Sequence, residues 1–245
     1  MSMPPYEVLS NYYQKLIWDS DYDRWTEYLL TVVKNNAPTI TGVDVGCGTG
    51  IFTRKLKRAG FKVAGVDISQ SMLSVAESIS RKERLNIDYI KGDMRNITLF
   101  DKVGFISVVN DGINYIKPSD LLKTFKSFNK CLVKGGLLVF DISTEYKLKN
   151  VLAGNMYGDN SSDLSYIWLS EFCDEESRLD IDISFFEKRG ETYVRYDENQ
   201  SQYVHLQNDV VSALESAGFE LVSVTSPFGK EFTEKEERLL FIAKK

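Results

Sequence analysis

The feature that most constrains this chain is a glycine-rich turn directly after a short apolar run. Residues 43–50 read VDVGCGTG, with glycine at the alternate positions 46, 48 and 50. Glycine has no Cβ and adopts positive φ readily, so the backbone can turn sharply there and lie against a ligand. A helix predicted near 50–59 would direct its free N–H groups to the same place. The sequence therefore predicts a nucleotide-type cofactor site.

The spacing of these glycines distinguishes three cofactor classes. A P-loop requires Gly, four residues and Gly-Lys-Ser/Thr, and no lysine lies between Gly42 and Arg54. The dinucleotide fingerprint G-x-G-x-x-G would need a third glycine where the chain has Ile51. The pattern D-x-G-x-G-x-G at 44–50 resembles motif I of the class I S-adenosylmethionine-dependent methyltransferases. This resemblance implies S-adenosylmethionine as cofactor, bound by Asp44, Gly46, Cys47, Gly48 and Gly50.

Two further acids follow predicted strands. Residues 62–66 are predicted to form a short buried strand that ends at Asp67, nineteen residues after Gly48. An acid at this spacing can accept two hydrogen bonds from a ribose diol. Asp67 is not needed as the N-cap of the next helix, because Ser69 can cap that helix. A third strand runs into Asp93 and Met94, which resemble the family's adenine-recognition motif. The resemblance implies that Asp93 accepts from the adenine amine, while Ile68 and Met94 hold the ring.

The N-terminal region carries apolar and aromatic residues at helical spacing over 6–34, with a break near 18–21. This pattern predicts two helices, whose aromatics would be core residues in the simplest interpretation. In related small methyltransferases this region folds over the cofactor. The resemblance therefore implies that Tyr13 and Tyr22 contact the methionine end. Our predicted cofactor contacts also include Ser69, Met72 and Asn110.

The rest of the chain predicts an α/β fold. Strands near 40–45, 62–66, 86–91, 103–109 and 135–142 alternate with helices near 50–59, 70–81 and 119–131, which is typical of a doubly wound parallel sheet. Gly135 and Gly136 are expected to close the helix before the fifth strand. Apolar runs at 219–225 and 239–243 are too close for a helical crossover, so they should form an antiparallel pair. We predict a mostly parallel seven-stranded, Rossmann-like methyltransferase sheet with a small antiparallel β insert.

We expect one domain over 1–245. It comprises a helical cap (1–36), a cofactor-binding core (37–145), a β-rich insert (146–206) and a C-terminal helix with two antiparallel strands (207–245). Extended segments at 165–172, 179–186 and 192–205 lie in the insert. The insert is either a lid over the acceptor or an oligomer interface. As a lid it would bring aromatic and imidazole side chains to the sheet's open edge, namely Trp168, Phe172, Tyr193, Tyr196, Tyr203 and His205.

The expected chemistry comes from the cofactor more than from the protein. A sulfonium is an activated methyl donor, so the enzyme must align an acceptor, exclude water and handle one proton. Asp111, Asn114 and Tyr115 follow the fourth strand, where the acceptor should lie. We predict Asp111 and His205 as catalytic bases, although a dedicated base need not exist.

The predicted reaction is methyl transfer to N or O of a small molecule. An RNA or protein acceptor is the next interpretation. The alternatives from other classes are an NAD-dependent oxidoreductase and a cofactor-binding protein without catalysis.

Composition narrows the partners. The formal net charge is −5, without a basic stripe carrying interleaved aromatics, so we expect no nucleic-acid partner. No run of 18 uncharged apolar residues occurs, and the first residues lack the features of a signal peptide. We therefore expect a cytoplasmic protein without a membrane partner. A homodimer stays open.

Metal ligands are scarce in this sequence. Cys47, Cys131 and Cys173 are widely separated and odd in number, which favours free thiols. His205 is the single histidine, so a zinc site of the Cys/His kind is disfavoured. Asp111 and Asp141 could supply oxygen ligands to Mg²⁺, but acids near strand ends more often cap or hydrogen-bond. We predict no metal site.

Overall fold

The structure, a computed structural model, describes residues 10, 22–229, 233 and 235–245. The described helices are α1 (Tyr22–Asn36), α2 (Ile51–Arg58), α3 (Gln70–Lys82), α4 (Leu121–Cys131) and α5 (Gln207–Ser216). The strands are β1 (Thr41–Val45), β2 (Lys62–Asp67), β3 (Tyr89–Lys91), β4 (Val103–Val108), β5 (Leu132–Ser143), β6 (Met156–Asn160), β7 (Leu164–Cys173), β8 (Arg178–Arg189), β9 (Thr192–Tyr203), β10 (Glu220–Thr225) and β11 (Arg238–Lys244). The predicted first N-terminal helix and Tyr13 lie outside the described residues.

Seven strands form one sheet in the order β10-β11-β5-β4-β1-β2-β3. The strands β1 to β5 are parallel to one another, whereas β11 is antiparallel to both β5 and β10. The predicted seven-stranded, mostly parallel sheet and its antiparallel last pair are confirmed. The strand order reverses between β1 and β4, and doubly wound sheets bind ligands outside the carboxyl ends at such a point.

Apolar side chains cover both faces of this sheet. Phe105 and Ile106 are adjacent in β4 and therefore point to opposite faces. Phe105 belongs to the cluster that includes Trp25 and Leu29 of α1, while Ile106 belongs to the cluster that includes Phe125 of α4. All five residues are at most 4% exposed. Helices on both faces hold the strand ends rigidly, which fixes the loops that leave them.

The insert is a separate antiparallel sheet in the order β6-β7-β8-β9. Its buried face packs against Met72 of α3 and Leu148 of the helical turn Lys147–Leu152. The predicted three-stranded meander is present, but the prediction missed β6 and this turn. Strand β6 reads MYGDN and is mostly exposed, so it lacks the apolar alternation that marks a strand.

Two smaller observations complete the fold. β5 begins at Leu132, so Gly135 and Gly136 lie inside the strand and do not close α4 as predicted. Gly135 has φ +76° and donates its N–H to the Lys245 carbonyl at 2.8 Å, which explains how the strand continues past an irregular residue. In the described part of the chain, no helix is long and apolar enough to cross a membrane.

Candidate active site

The glycine loop, residues 46–50, folds back over the end of β2. Gly46, Gly48 and Gly50 have φ of +70°, +52° and +74°, all in the left-handed region that favours glycine. The amides of Gly46 and Cys47 donate to the Val66 carbonyl at 2.8 and 3.1 Å. A Cβ on Gly50 would lie 2.4 Å from the Tyr89 hydroxyl, whereas one on Gly46 would meet only the Met94 methyl, at 3.7 Å. The loop therefore leaves room for a ligand at its first glycine.

Asp67 joins this loop to the next strand end. Its carboxylate accepts the Gly48 amide at 2.8 Å and the Ser69 amide at 2.9 Å, one on each oxygen. Burial raises the pKa of Asp67, and the hydrogen bonds from these amides oppose that rise. An ionised carboxylate has about four acceptor sites, so the Gly48 and Ser69 amides do not exhaust its capacity to accept from a ribose diol. Beside it, the Ile68 side chain is 55% exposed, as an apolar contact for a ligand would be.

Asp44 and Cys47 lie beneath the loop. Asp44 is 1% exposed and accepts hydrogen bonds from Thr53 Oγ1 at 2.6 Å and Ser107 Oγ at 3.2 Å. Burial raises the pKa of Asp44 to about 7. Burial also raises the pKa of the Cys47 thiol well above its ordinary value, which argues against a nucleophilic role. Both side chains lie on the core side of the glycine loop. On the opposite side of the loop, the groups available to a cofactor therefore belong to the backbone.

The other predicted cofactor residues occupy three different positions. The carboxylate of Asp93 is 34% exposed and pairs with the Arg95 guanidinium, whose hydrogen bonds lower the pKa of Asp93. Ser69 caps α3 by accepting the Met72 amide at 3.3 Å. Met72 itself is 2% exposed and packs against the buried face of the insert sheet. Asp93 is thus partly exposed next to Met94, whose methyl approaches Gly46, whereas the buried Met72 side chain gives no support to the predicted cofactor contact.

The segment after β4, residues 109–116, is called the β4 turn. Asn110 and Asp111 both have positive φ, +66° and +52°. Their amides donate to the two oxygens of Asp141 at 2.8 and 3.0 Å, which holds this strained backbone in place. The Asn110 side chain donates to the Tyr22 hydroxyl at 3.0 Å. Two predicted cofactor residues far apart in sequence thus meet at the end of β4.

Asp111 is held in an ion pair. Its carboxylate lies 2.8 Å from the Arg238 guanidinium and accepts a hydrogen bond from Gln202 Nε2 at 3.0 Å. Burial alone would raise the pKa of Asp111, but the nearby charges of Arg238 and Lys147 outweigh it and the pKa is lowered. A carboxylate with a lowered pKa is a weaker base. Its position at the β4 turn agrees with the prediction, while its partner argues against proton abstraction.

Asp141 also pairs with Arg238, so one guanidinium serves both acids that could have bound Mg²⁺. Within the described residues, no group of three His, Cys, Asp or Glu side chains could hold a metal ion.

His205 packs behind the β4 turn. It is 5% exposed, and its Nε2 lies 3.2 Å from the Ile113 carbonyl oxygen. Burial lowers the pKa of His205, so the ring is neutral at pH 7. Its burial and its backbone partner do not support the predicted role as a base for an external acceptor. The aromatic side chains predicted at the sheet's open edge are also differently placed. Trp168, Phe172 and Tyr196 pack on the apolar cluster of the insert, and Tyr193 is 55% exposed.

Sequence reasoning missed the positioning roles of two residues. Arg54 of α2 donates to the Thr49 carbonyl at 2.6 Å and pairs with Glu83 at 3.3 Å, so it fixes the glycine loop from behind. Asn114 is fully buried and donates Nδ2 to the Ser143 and Tyr203 carbonyls, both at 3.0 Å. It therefore joins the β4 turn to β5 and to the insert. A helical arginine carries no sequence signal for such a role, and Asn114 was noted only for its place after the fourth strand.

Comparison with known proteins identifies the family. Residues 43–136 match the family model of the methyltransferase domain. YqeM of Bacillus subtilis (strain 168), a methyltransferase by name, is 33% identical over 98% of this chain and 97% of its own length. An S-adenosylmethionine-dependent methyltransferase from Clostridium acetobutylicum ATCC 824 has a TM-score of 0.86 at 30% identity, covering 98% of each chain.

A more distant structure shares the fold. It is the sugar N-methyltransferase KedS8 from Streptoalloteichus sp ATCC 53650, with a TM-score of 0.78, 18% identity and coverage of 99% of this chain and 94% of its own. The Clostridium acetobutylicum protein depends on S-adenosylmethionine by name, and this match argues against the dinucleotide alternative. The chain belongs to the class I S-adenosylmethionine-dependent methyltransferases.

Proposed function

We propose that this enzyme transfers the methyl group of S-adenosylmethionine to a nitrogen or oxygen of a small molecule. The observation that carries the proposal is the seating of the insert on the β4 turn. Gln202 of β9 hydrogen-bonds to Asp111, and the Tyr203 carbonyl accepts from Asn114. A sheet fixed in this place would cover the carboxyl end of β4 and restrict the space beside it, which supports a compact acceptor.

The cofactor would lie across the ends of β1 and β2. In this arrangement Asp67 accepts the two ribose hydroxyls, and the backbone of the glycine loop faces the methionine portion. Ile68 and Met94 hold the adenine from its two sides, and Asp93 accepts from its amine in place of one of its hydrogen bonds from Arg95. Tyr22 and Asn110 hydrogen-bond to each other, so both would lie at the methionine end of the cofactor. Tyr13 stays a prediction outside the described residues.

The acceptor would lie beside the β4 turn. β1 and β4 are neighbours with Asp44 opposite Ser107, so the glycine loop and the β4 turn leave the sheet side by side. Methyl transfer then requires an in-line approach of the acceptor to the methyl and exclusion of water. Alignment is the main catalytic device in this proposal. Of the two predicted bases, Asp111 is the better placed, since its side chain is 16% exposed while His205 is enclosed.

Charge and fold both favour a small acceptor over RNA or protein. A net charge of −5 opposes binding to a polyanion. The structural neighbours include the sugar N-methyltransferase KedS8, whose acceptor is small by name. We further propose that the whole chain acts as one domain in the cytoplasm, with residues 146–206 as the acceptor cover.

The alternative role of the insert is a homodimer interface. Its outer face exposes Met156, Ile167 and Leu169 by 72%, 43% and 48%. Light scattering on the wild type and on Leu169→Lys separates the two roles. A dimer that Leu169→Lys splits without loss of activity would favour the interface.

Methyl transfer itself can be tested with labelled S-adenosylmethionine. The purified full chain is incubated in parallel with pooled metabolites, total RNA and a protein extract, and label is followed into each fraction. We expect label in the metabolite pool. Transfer into RNA or protein alone would refute a small-molecule acceptor.

A further inference from the structure

The face of β9 that packs toward the core carries a polar stripe, formed by Glu198, Gln200 and Gln202. Residues two apart on a strand share a face, so all three point the same way. Their cross-strand neighbours on β8 are Ile183, Ile181 and Leu179, which are almost fully buried. Glu198 and Gln202 are each 4% exposed. Polar groups on such a face are unfavourable unless hydrogen bonds satisfy them.

The two glutamines are satisfied on one side only. Gln202 donates Nε2 to Asp111 Oδ2 at 3.0 Å, and Gln200 Oε1 accepts from the Tyr115 hydroxyl at 3.3 Å. The other amide atoms, Gln202 Oε1 and Gln200 Nε2, are buried and have no hydrogen-bond partner among the described residues. One is an acceptor and the other a donor. Buried polar atoms left unpaired in a native structure call for a ligand or another specific reason.

The outer face of the same strand provides a contrast. Asn199 donates to Asp182, and Ser201 donates to Asp180 Oδ1 at 2.6 Å. Polar residues of β9 that face solvent thus have protein partners, whereas the two that face the β4 turn keep unpaired atoms. Their partners within reach, Asp111 and Tyr115, both belong to the turn beside which the acceptor is proposed to bind.

We propose that Gln200 and Gln202 recognise the methyl acceptor, and that the acceptor is a ring-sized amine or alcohol with a second polar group across the ring. Gln202 Oε1 accepts an N–H or O–H of the acceptor, and Gln200 Nε2 donates to one of its oxygens. Residues two apart on a strand are separated by about 7 Å, so their flexible side chains can reach polar groups on two sides of one six-membered ring. An amino sugar has this chemistry, and a ring with a single polar group does not. This inference rests on the proposed function.

The test uses the full chain with labelled S-adenosylmethionine and four probe acceptors. These are D-glucosamine, its nucleoside-diphosphate-linked form, cyclohexylamine and phenol. We expect transfer to one of the sugars to exceed transfer to cyclohexylamine and phenol at least tenfold. Gln200→Met and Gln202→Met should each raise KM for that sugar about 5- to 50-fold, the range for leaving a polar group of the ligand unpaired. The Kd for S-adenosylhomocysteine should change less than twofold.

Asn199→Met is the matched control, since it alters the same strand on its outer face and should leave KM unchanged. Gln200 does not hydrogen-bond to Asp111, so Gln200→Met remains informative if Gln202→Met fails to fold. Circular dichroism reports whether each variant is folded. Equal use of cyclohexylamine, no transfer to either sugar, or an unchanged KM in Gln200→Met would overturn the inference. Transfer to phenol or cyclohexylamine alone would leave the proposed function standing, whereas transfer to RNA or protein alone would remove both.

Discussion

In an Asp67→Ala variant, the proposed cofactor seat loses the acceptor on which it is built. The carboxylate holds the Gly48 amide at 2.8 Å and the Ser69 amide at 2.9 Å, and its remaining acceptor sites are proposed to take the ribose diol. Hydrogen bonds to a charged group are worth about 1.5–3 kcal/mol. Because about 1.4 kcal/mol is tenfold in affinity, the Kd for S-adenosylmethionine should rise about 10- to 150-fold.

The assay is isothermal titration calorimetry of wild type and variant with S-adenosylmethionine and S-adenosylhomocysteine. Asp101→Ala is the control, because Asp101 is an exposed acid away from the loop. Thermal unfolding by circular dichroism separates lost affinity from lost structure. An unchanged affinity in Asp67→Ala would remove this residue from the cofactor site, and tight binding of NAD to the wild type would refute the seat altogether.

The same residue predicts a pH dependence. Burial raises the pKa of Asp67, and the ionised carboxylate is the form with acceptor sites for both ribose hydroxyls. Wild-type affinity should therefore fall as the pH drops through this raised pKa. Asp67→Asn cannot titrate, so its weaker affinity should not follow that profile. A parallel decline in both proteins would assign the dependence to another group.

Three further substitutions test other parts of the site. Gly48→Val should abolish cofactor binding in calorimetry yet keep cooperative unfolding, because Gly48 lies in a loop at φ +52°; loss of cooperativity would make the glycine structural. Asp44 has a folded-state pKa of about 7, so its contribution to stability falls as the pH rises from about 4 to about 7. Over that window, the free energy of unfolding of Asp44→Asn, measured with urea, should rise relative to that of the wild type by on the order of 2–4 kcal/mol. A pH-independent difference would contradict the raised pKa. Asn114→Ala leaves the Ser143 amide and the Tyr203 carbonyl unpaired and should lower stability by about 2–4 kcal/mol; a melting temperature within a degree of the wild type would contradict that role.

The local backbone of the site could be predicted from the sequence. A strand, a glycine turn and a helix N-terminus are adjacent in the chain, so residues 43–50 contain most of the information about their own geometry. The next strand lies beside β1, so the Asp67 carboxylate reaches the Gly48 amide, a contact that the sequence did not predict. Ser69 caps α3 as predicted, because capping depends on residues three apart.

The contacts of the site that join residues far apart in the chain could not be predicted from the sequence. Asp141 binds the Asp111 amide across 30 residues and pairs with Arg238 across 97, and no spacing rule connects such positions. Met72 occupies a helical position that would suit a loop contact, but the insert sheet covers it. His205 was attractive as the single histidine of the chain, although its surroundings are set by how β9 meets the β4 turn.

The β4 turn explains why cofactor and acceptor sites should be coupled in this enzyme. Asn110 connects the turn to Tyr22 of α1, and Asp111 connects it through Gln202 to the insert. Both residues hold positive φ because Asp141 satisfies their amides from the neighbouring strand. A shift of the turn would therefore move a proposed cofactor contact and a proposed acceptor contact together. Since methyl transfer depends on the line between donor and acceptor, a buried carboxylate that fixes both sides can influence turnover without touching either ligand.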